Sequence, residues 1–356
     1  MPNELNDFVK SFVRPSKFKV FVVLTFTFAG YWLGRFSGNC MTAEYVRLYM
    51  RSENHDTTKK QLEVETAKFY RKARLDALQK CCPQQLSLQR LSEQEAKNAL
   101  RHIIVDRKNK LLYCYIPKVA SSNMKRLILT LQNYTDNSNA IKYIDHQGFE
   151  FLSDVTASEK DHMIKTFFKF LFVRHPLHRM LSAYRNKFIE PNAQFELQYG
   201  RKIVQKYRIP SVPINQVNGK NVTFQEFIRY LIDKETYVQE MNEHWMPMYE
   251  LCQPCYINYN FIGSFESLTL DTNALLTKLH APDNIAFPIK QSFYGTSINR
   301  EAVATFYRSI TTEEYKSLHG RYMNDFKCFA ALMLVFLKAS NLATKPRTDA
   351  IRSVCI

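Results

Sequence analysis

Two short apolar runs, each followed by a polar turn and a helix-forming segment, constrain the fold of this chain more than any other feature. Residues 111–116 are continuously apolar (LLYCYI), and residues 167–173 (FFKFLFV) form a second run that a single lysine interrupts. Runs of this length without alternation are typical of strands buried on both faces, as in a parallel sheet. Two strand–turn–helix units predict an α/β fold with a parallel sheet flanked by helices.

The turn after the first run has the composition of an anion-binding loop. It consists of Pro117, Lys118, Val119, Ala120, Ser121, Ser122 and Asn123. Backbone N–H groups and the helix dipole favour an anion where a helix begins, and Lys118 adds a positive charge. The Walker pattern GxxxxGK[ST] is absent. The residue types therefore predict a phosphate loop of another kind, with a capped turn and a surface lysine as the alternative.

The second run is followed by a second candidate anion site. Arg174 leaves the end of the run, and Ser182 follows about two turns into the next helical segment, 177–188. Arginine offers a planar fork for phosphate, and serine adds a hydroxyl donor. Ligands of open parallel sheets bind at the carboxyl ends of the strands. We therefore expect both sites to face one ligand with two phosphates, although Arg174 alone would also suit a structural ion pair.

The N-terminal segment predicts a membrane anchor. Residues 20–34 carry no charge, and the apolar stretch extends to 18–36 if Lys19 and Arg35 reach the two membrane interfaces. Basic residues precede the stretch and only one follows closely, which favours a cytosolic N-terminus. The sequence predicts a cytosolic tail (1–17), a signal-anchor helix (18–36), a stem (37–100) and a luminal domain (101–356). A cleaved signal peptide and a buried core helix are the alternatives.

The predicted stem is rich in charge and lacks helix breakers. Residues 44–80 carry 15 charged side chains and contain neither glycine nor proline, which predicts a helix and allows a homo-oligomer through the stem. A helix packed on the domain is the alternative. Ser92 and Glu95 have capping-box spacing and predict a further helix through about His102.

Two features fit a luminal domain. Cys252, Cys255 and Cys328, together with the adjacent Cys81 and Cys82, are expected to form structural disulfides whose connectivity the sequence leaves open. The sequons at Asn133 and Asn221 predict N-glycosylation.

The net charge limits the class of partner. The chain has 49 Lys and Arg against 33 Asp and Glu, a formal charge of +16. Such a surface favours polyanions. The predicted anchor argues against nucleic acid and leaves anionic lipid, nucleotides and acidic polysaccharide as alternatives.

Four segments, in order, resemble the Golgi carbohydrate sulfotransferases, in the branch of the HNK-1 and chondroitin/dermatan 4-O-sulfotransferases. LLYCYIPKVASSNMKR (111–126) resembles the 5′-phosphosulfate loop of that family, and FLFVRHPLHRMLSAYRNKF (170–188) resembles its 3′-phosphate motif. HWMPMYELCQPCYINYNFIGSFESL (244–268) and YMNDFKCF (322–329) resemble its two later blocks. The resemblance covers about residues 101–336.

The resemblance implies a P-loop-like parallel sheet flanked by helices, the fold of sulfotransferases that depend on 3′-phosphoadenylyl sulfate (PAPS), preceded by a transmembrane anchor and a helical stem. It implies a type II Golgi membrane enzyme that transfers a sulfuryl group from PAPS to a glycan hydroxyl, without a metal. It implies that Lys118 contacts the 5′-phosphate side as a catalytic residue, and that Arg174 and Ser182 hold the 3′-phosphate. A chondroitin-like or GalNAc/GlcA-containing acceptor is expected. The general base stays open among His146, His162, His175, His178 and His244. A catalytically silent glycan-binding protein on the same fold is the alternative; a P-loop kinase is disfavoured by the missing Walker residues.

The chain departs from the family pattern at several positions. Ser121, Ser122 and Met124 stand where the family usually has Cys, Thr and Trp. His175 replaces a Glu, Asn260 an Asp and Ser264 a Lys. The donor site is therefore expected to be intact, whereas the last three changes put the identity of the acceptor in question.

Overall fold

The computed structural model describes residues 56–82, 91–133, 148–239, 241–288 and 300–330. The predicted anchor, the cytosolic tail and His146 lie outside these ranges. Within them, no helix has the length and apolar character needed to cross a membrane.

The strands are β1 (Ile103–Asp106), β2 (Leu111–Cys114), β3 (Glu150–Phe151), β4 (Phe168–Val173) and β5 (Phe261–Ser264). The α-helices are α1 (Asp56–Cys81), α2 (Glu93–Arg101), α3 (Ser121–Leu131), α4 (Ala157–Thr166), α5 (Pro176–Tyr184), α6 (Ala193–Phe195), α7 (Arg201–Tyr207), α8 (Phe224–Ile232), α9 (Lys234–Gln239), α10 (Met248–Cys252), α11 (Pro254–Ile257), α12 (Leu268–Lys278), α13 (Arg300–Tyr307), α14 (Thr312–Arg321) and α15 (Met323–Asp325).

The five strands form one mixed sheet in the order β3-β1-β2-β4-β5. Strands β2 and β4 are parallel, as predicted, and β5, which was not predicted, pairs in parallel with β4, but β1 runs antiparallel to both of its neighbours. The prediction of a wholly parallel sheet is therefore wrong at this edge. Only four residues, 107–110, separate β1 from β2, and a connection this short forces a hairpin, because a parallel crossover needs a dozen residues or more.

The apolar runs of β2 and β4 form the centre of the main core. Tyr113 and Phe170 are opposite each other in the parallel ladder, and their rings stack at 4.9 Å. Every residue of β2 is buried, and β4 is buried except at its first residue. Because both faces of these strands are covered, their carboxyl ends are held rigidly. Both predicted anion sites lie at these carboxyl ends.

A second core surrounds Trp245, which is fully buried between helices α5, α7 and α8. The rings of Phe188, Tyr199 and Phe227 lie 4.9–6.1 Å from the indole. The aromatic richness of the chain is used here to fix the segment around Trp245 beside the second strand–helix junction.

The chain divides into two compact units, residues 1–66 and 67–356. Within the second unit, the part of α1 that belongs to it packs on the domain: Arg74 and Arg71 donate to the buried carboxylate of Asp271 at 2.6 and 2.9 Å. This packing corresponds to the alternative interpretation of the stem as a helix on the domain. The domain boundary drawn at residue 100 and the homo-oligomer through the stem stay predictions. The capping box of Ser92 and Glu95 is confirmed at the start of α2.

Three disulfides connect distant parts of the chain. They join Cys81 to Cys328, Cys82 to Cys255 and Cys114 to Cys252. The expected disulfide cysteines are all used, and Cys114 was missed because its place inside an apolar run concealed it. Two of the bridges tie the end of α1 to the domain, and the third ties β2 to α10.

Candidate functional site

The loop between β2 and α3 leaves a helix N-terminus open. Lys118 and Ala120 adopt left-handed backbone conformations, with φ of 72° and 55°. In the part of the chain that the structure describes, no side chain caps α3, whose N-cap residue is Ala120. The Val119 N–H donates to the Ile116 carbonyl at 3.3 Å, so the uncapped first turn of α3 supplies the backbone N–H groups that favour an anion here. The sequence prediction of a phosphate loop has the geometry it requires.

The other predicted loop residues divide into structural and exposed ones. Pro117 and Val119 are buried, and Asn123 donates from its side chain to the carbonyl of Pro288 at 3.0 Å. Ser121 is half-buried and Ser122 is exposed at the first turn of α3. The serines can therefore reach a ligand, whereas the Asn123 side chain secures the loop.

Arg174 joins the two predicted sites. Its Nη1 donates to the carbonyl of Lys118 at 2.9 Å, across the adjacent ends of β2 and β4. Its guanidinium carbon lies 4.1 Å from the centroid of the Phe265 ring. The Nε atom is buried and has no hydrogen-bond partner among the residues placed by the structure. An arginine held this way presents a fixed positive fork at the junction, with a donor left unsatisfied.

Helix α5 begins two residues after Arg174 and differs from α3 in its donors. Pro176 is its first residue and has no N–H, and the N–H of His175 donates to Glu266 Oε1 at 3.0 Å. Ser182 is half-buried, two turns along this helix. Anion binding at this junction therefore depends on side chains rather than on the backbone.

Arg179 is a site residue that the sequence analysis missed. It is 1% exposed and donates to three carbonyls: Nε to Pro117 at 3.0 Å, Nη1 to Met246 at 2.6 Å and Nη2 to Glu243 at 2.8 Å. A charged residue on the buried face of an amphipathic helix was the pattern that could have revealed it. Arg179 fixes the loop before Lys118 against the segment that contains Glu243.

Positive charges are concentrated around Lys118. Burial, together with the charges of Lys187, Arg174 and Arg179, lowers the pKa of Lys118 to about 7, while Glu190 opposes this shift. Burial likewise lowers the pKa of Arg174 to about 10. Desolvated like charges are unfavourable unless an anion joins them. The site is thus charged for a ligand with several negative groups.

A cavity of about 490 Å³ includes Glu243, whose carbonyl Arg179 of this cluster binds. The aromatic rings of Tyr115, Phe151 and Tyr199 line it together with the polar groups of Arg101, Asn242 and Glu243. Glu243 Oε2 accepts a hydrogen bond from the Tyr115 hydroxyl at 3.1 Å and lies 3.1 Å from His102 Nε2. Aromatic faces with a few fixed polar groups suit a small polar ligand such as a sugar ring.

The candidate bases lie in different places. His162 is exposed on α4, near the start of β4 and thus at the sheet edge opposite the anion sites. His175 and His178 are in ring contact at 4.9 Å, and burial lowers the pKa of His175 to about 4. His244 follows Glu243 directly and is half-buried.

The three departures from the family pattern are also separated in space. Asn260 hydrogen-bonds Lys169 of β4 through both its side chain and its backbone, at the start of β5 and away from the anion sites. Ser264 ends β5, opposite Val173, and its hydroxyl donates to the Glu266 carboxylate. Glu266 also accepts from the His175 N–H, so these two departures meet beside Arg174.

These residues fit a donor that carries two phosphate-type groups. The open N-terminus of α3, Lys118 and Arg174 with its unsatisfied Nε provide anion donors on two adjacent junctions, and Ser182 lies two turns along α5. Among the described residues, no group of three or more His, Cys, Asp or Glu side chains could hold a metal ion.

Comparison with known proteins agrees with this geometry. The profile of the sulfotransferase family matches residues 101–330. Carbohydrate sulfotransferase 14 of Danio rerio is 41% identical over 240 residues, 67% of this chain and 64% of that protein. The human protein of the same name is 40% identical over 66% of this chain and 61% of its own length.

Carbohydrate sulfotransferase 11 of Rattus norvegicus is 33% identical over 78% of this chain and 80% of its own length. The chain spans somewhat less than two thirds of the sulfotransferase 14 proteins. No solved structure matches it significantly. Because the family profile matches residues 101–330, well over half of the chain, the chain belongs to the sulfotransferase family.

Proposed function

We propose that this protein is a PAPS-dependent carbohydrate sulfotransferase that transfers a sulfuryl group to a glycan hydroxyl. The observation that carries the proposal is the hydrogen bond from Arg174 to the Lys118 carbonyl, which joins two anion sites at the ends of adjacent parallel strands. When bound, PAPS supplies the sulfuryl group and a phosphate leaving group. The relatives are named carbohydrate sulfotransferases, which supports the acceptor class.

Each donor-side residue has a distinct role in this proposal. The N-terminus of α3 and Lys118 bind the 5′ side, and the Lys118 ammonium offsets charge that develops on the leaving oxygen. Arg174 and Ser182 hold the 3′-phosphate. Arg179 orients the loop by binding the Pro117 carbonyl. As in phosphoryl transfer, positioning and charge stabilisation supply most of the rate enhancement.

The finer assignments are proposals with separate support. The cavity beside Glu243 suits one sugar ring of the acceptor, and the net charge of +16 suits a chondroitin-like or GalNAc/GlcA-containing chain. Three disulfides support an oxidising compartment, in keeping with a type II protein of the Golgi membrane whose domain is luminal. Asn133 and Asn221 are exposed, as acceptors of N-glycans must be.

The test is a transfer assay with the full chain, produced in a secretory host and solubilised in detergent. It receives radiolabelled PAPS and a panel of desulfated glycosaminoglycans and N-glycans, alongside Lys118→Ala and Ser182→Ala. Transfer by the wild type that falls in both variants supports the proposal and identifies the acceptor class. Binding of adenosine 3′,5′-bisphosphate without transfer to any acceptor would favour the catalytically silent alternative, and absence of both would refute the enzyme.

A further inference from the structure

The general base of the transfer can be sought among the histidines by asking which imidazole has a free lone pair near Lys118. Asn242 Oδ1 accepts the backbone N–H of His244 at 3.0 Å, so this oxygen is the acceptor end of the amide. The same oxygen lies 2.8 Å from His244 Nδ1. Because an amide oxygen only accepts, Nδ1 carries the proton and the lone pair of the neutral ring is on Nε2.

The orientation of this imidazole is fixed by its neighbours. Asn242 also donates from Nδ2 to the Tyr199 hydroxyl at 3.0 Å, which holds the amide in place. The His244 ring meets Phe195 edge to face at 5.6 Å, and the Lys187 ammonium lies 4.1 Å from the centroid of the same Phe195 ring. His244 and Lys187 therefore flank one aromatic ring at the cationic cluster.

Arg179 brings His244 to the donor loop. Its guanidinium binds the carbonyls of Glu243 and Met246, on either side of His244, and the carbonyl of Pro117, next to Lys118. Asn242 and Glu243, the two residues before His244, line the cavity suited to a sugar. Arg179 thus ties the segment that contains His244 to the donor loop, and the two residues before His244 reach the cavity, so this segment connects the two places between which a general base must act.

We propose that His244 is the general base and that its Nε2 takes the proton from the acceptor hydroxyl; this inference rests on the proposed function. The hydroxyl oxygen forms a bond to sulfur while the bond from sulfur to the phosphate oxygen breaks, and that oxygen leaves with the electron pair. The products are a sulfate ester and adenosine 3′,5′-bisphosphate. The imidazolium of His244 then returns its proton to water.

The charges around the His244 ring make its affinity for a proton depend on whether the donor is bound. Burial, together with the charges of Lys187, Lys118 and Arg179, lowers the pKa of His244 to about 3, while Glu243 opposes this shift. These four charged groups face the ring from four places: Lys118 from the donor loop, Arg179 from α5, Lys187 from the turn after α5, and Glu243 from the segment of His244 itself. An anionic donor offsets the three cations, so donor binding raises the affinity of His244 for the proton. Glu243 is the less suitable base because Oε2 already accepts from Tyr115.

The first test compares His244→Ala and His244→Gln with wild type in the full chain. We expect kcat to fall about 10²–10⁴-fold, whereas the Kd for adenosine 3′,5′-bisphosphate changes less than threefold. Added imidazole should restore part of the activity of His244→Ala only. His162→Gln, at the opposite sheet edge, is the matched control. If wild type transfers sulfate and His244→Ala keeps its kcat while His146→Ala loses it, His146 is the base and this inference is wrong.

A second measurement does not depend on turnover. The His244 ring protons are followed by NMR against pH, with and without adenosine 3′,5′-bisphosphate, and assigned with the His244→Gln variant. We expect the bisphosphate to move the midpoint upward by at least one pH unit. A titration midpoint that the bisphosphate leaves unmoved would overturn the proposal even if the variants fold poorly. A wild-type protein that transfers no sulfate would instead refute the proposed function on which this inference rests.

Discussion

The two strand–helix junctions of the candidate donor site bind anions by different means. After β2, the backbone provides the donors: two left-handed residues lead into α3, whose first turn has no side-chain cap among the described residues. After β4, α5 starts with Pro176 and the N–H of His175 is already bound to Glu266, so Arg174 and Ser182 must provide the donors. Substitution of Arg174 or Ser182 at the second junction should therefore weaken anion binding more than substitution of the serines at the first junction.

Lys118 is the exception at the first junction, because its charge cannot be replaced by the backbone. Lys118→Ala should lower kcat about 10²–10³-fold, the loss typical of a group that stabilises developing negative charge. Steady-state transfer assays measure this, with Lys165→Ala, an exposed lysine paired with Asp161 on α4, as the control. A kcat within threefold of wild type would show that Lys118 does not act on the leaving group.

Lys118 also predicts a pH dependence. Its pKa in the free protein is lowered to about 7, so the ammonium is lost as pH rises through that value. Binding of adenosine 3′,5′-bisphosphate, which restores the charge, should weaken roughly tenfold between pH 7 and pH 8.5. Lys118→Arg should remove most of this dependence because arginine stays charged. Calorimetric titrations at constant ionic strength give the affinities, and a flat wild-type profile would contradict the assignment.

Arg174→Ala tests the side-chain mode of the second junction. A hydrogen bond to a charged group contributes about 1.5–3 kcal/mol, so removing the guanidinium should raise the Kd for adenosine 3′,5′-bisphosphate about 10–100-fold. The affinity for 5′-AMP, which lacks the 3′-phosphate, should change much less. Arg174→Lys should restore only part of the binding because an ammonium lacks the planar fork. Arg107→Ala, an exposed arginine paired with Glu150, is the control. Equal losses for both nucleotides would place Arg174 away from the 3′-phosphate.

The same contrast explains what the sequence could and could not predict. The apolar runs predicted β2 and β4 and placed Lys118 and Arg174 at one sheet edge, because burial on both faces leaves a clear pattern in a few adjacent residues. The direction of β1 was missed, although the four-residue connection to β2 requires a hairpin. Arg179 was missed because its role depends on three carbonyls from two remote segments. The tautomer of His244 likewise depends on Asn242 and Tyr199, whose contacts no local pattern encodes.

Substitutions of two serines, one at each junction, compare the two modes of anion binding through smaller changes in Kd. Ser182→Ala removes a hydroxyl donor from the junction that relies on side chains, and should raise the Kd for adenosine 3′,5′-bisphosphate about 3–10-fold, in keeping with about 1 kcal/mol for one hydrogen bond. Ser122→Ala, in the exposed first turn of α3, should change it less than twofold because the backbone supplies the donors there. Binding titrations of both variants under one set of conditions test the ranking, and the reverse order would disprove the division between the junctions.

The smallest effect concerns the backbone of the first junction itself. Ala120 has φ of 55° and ψ of 24°, a conformation that costs an L-residue about 1 kcal/mol and glycine almost nothing. Ala120→Gly removes that cost but gives the unfolded chain more freedom, so the free energy of unfolding should rise by less than about 1 kcal/mol. Ala120→Val, branched at Cβ, should lower it by more than that and weaken bisphosphate binding as well. At the second junction His175 has φ of −52°, so glycine relieves nothing there and His175→Gly should only destabilise. Thermal and denaturant unfolding of the three variants would measure this difference, and a Gly substitution that acts alike at both junctions would mean that backbone strain does not distinguish them.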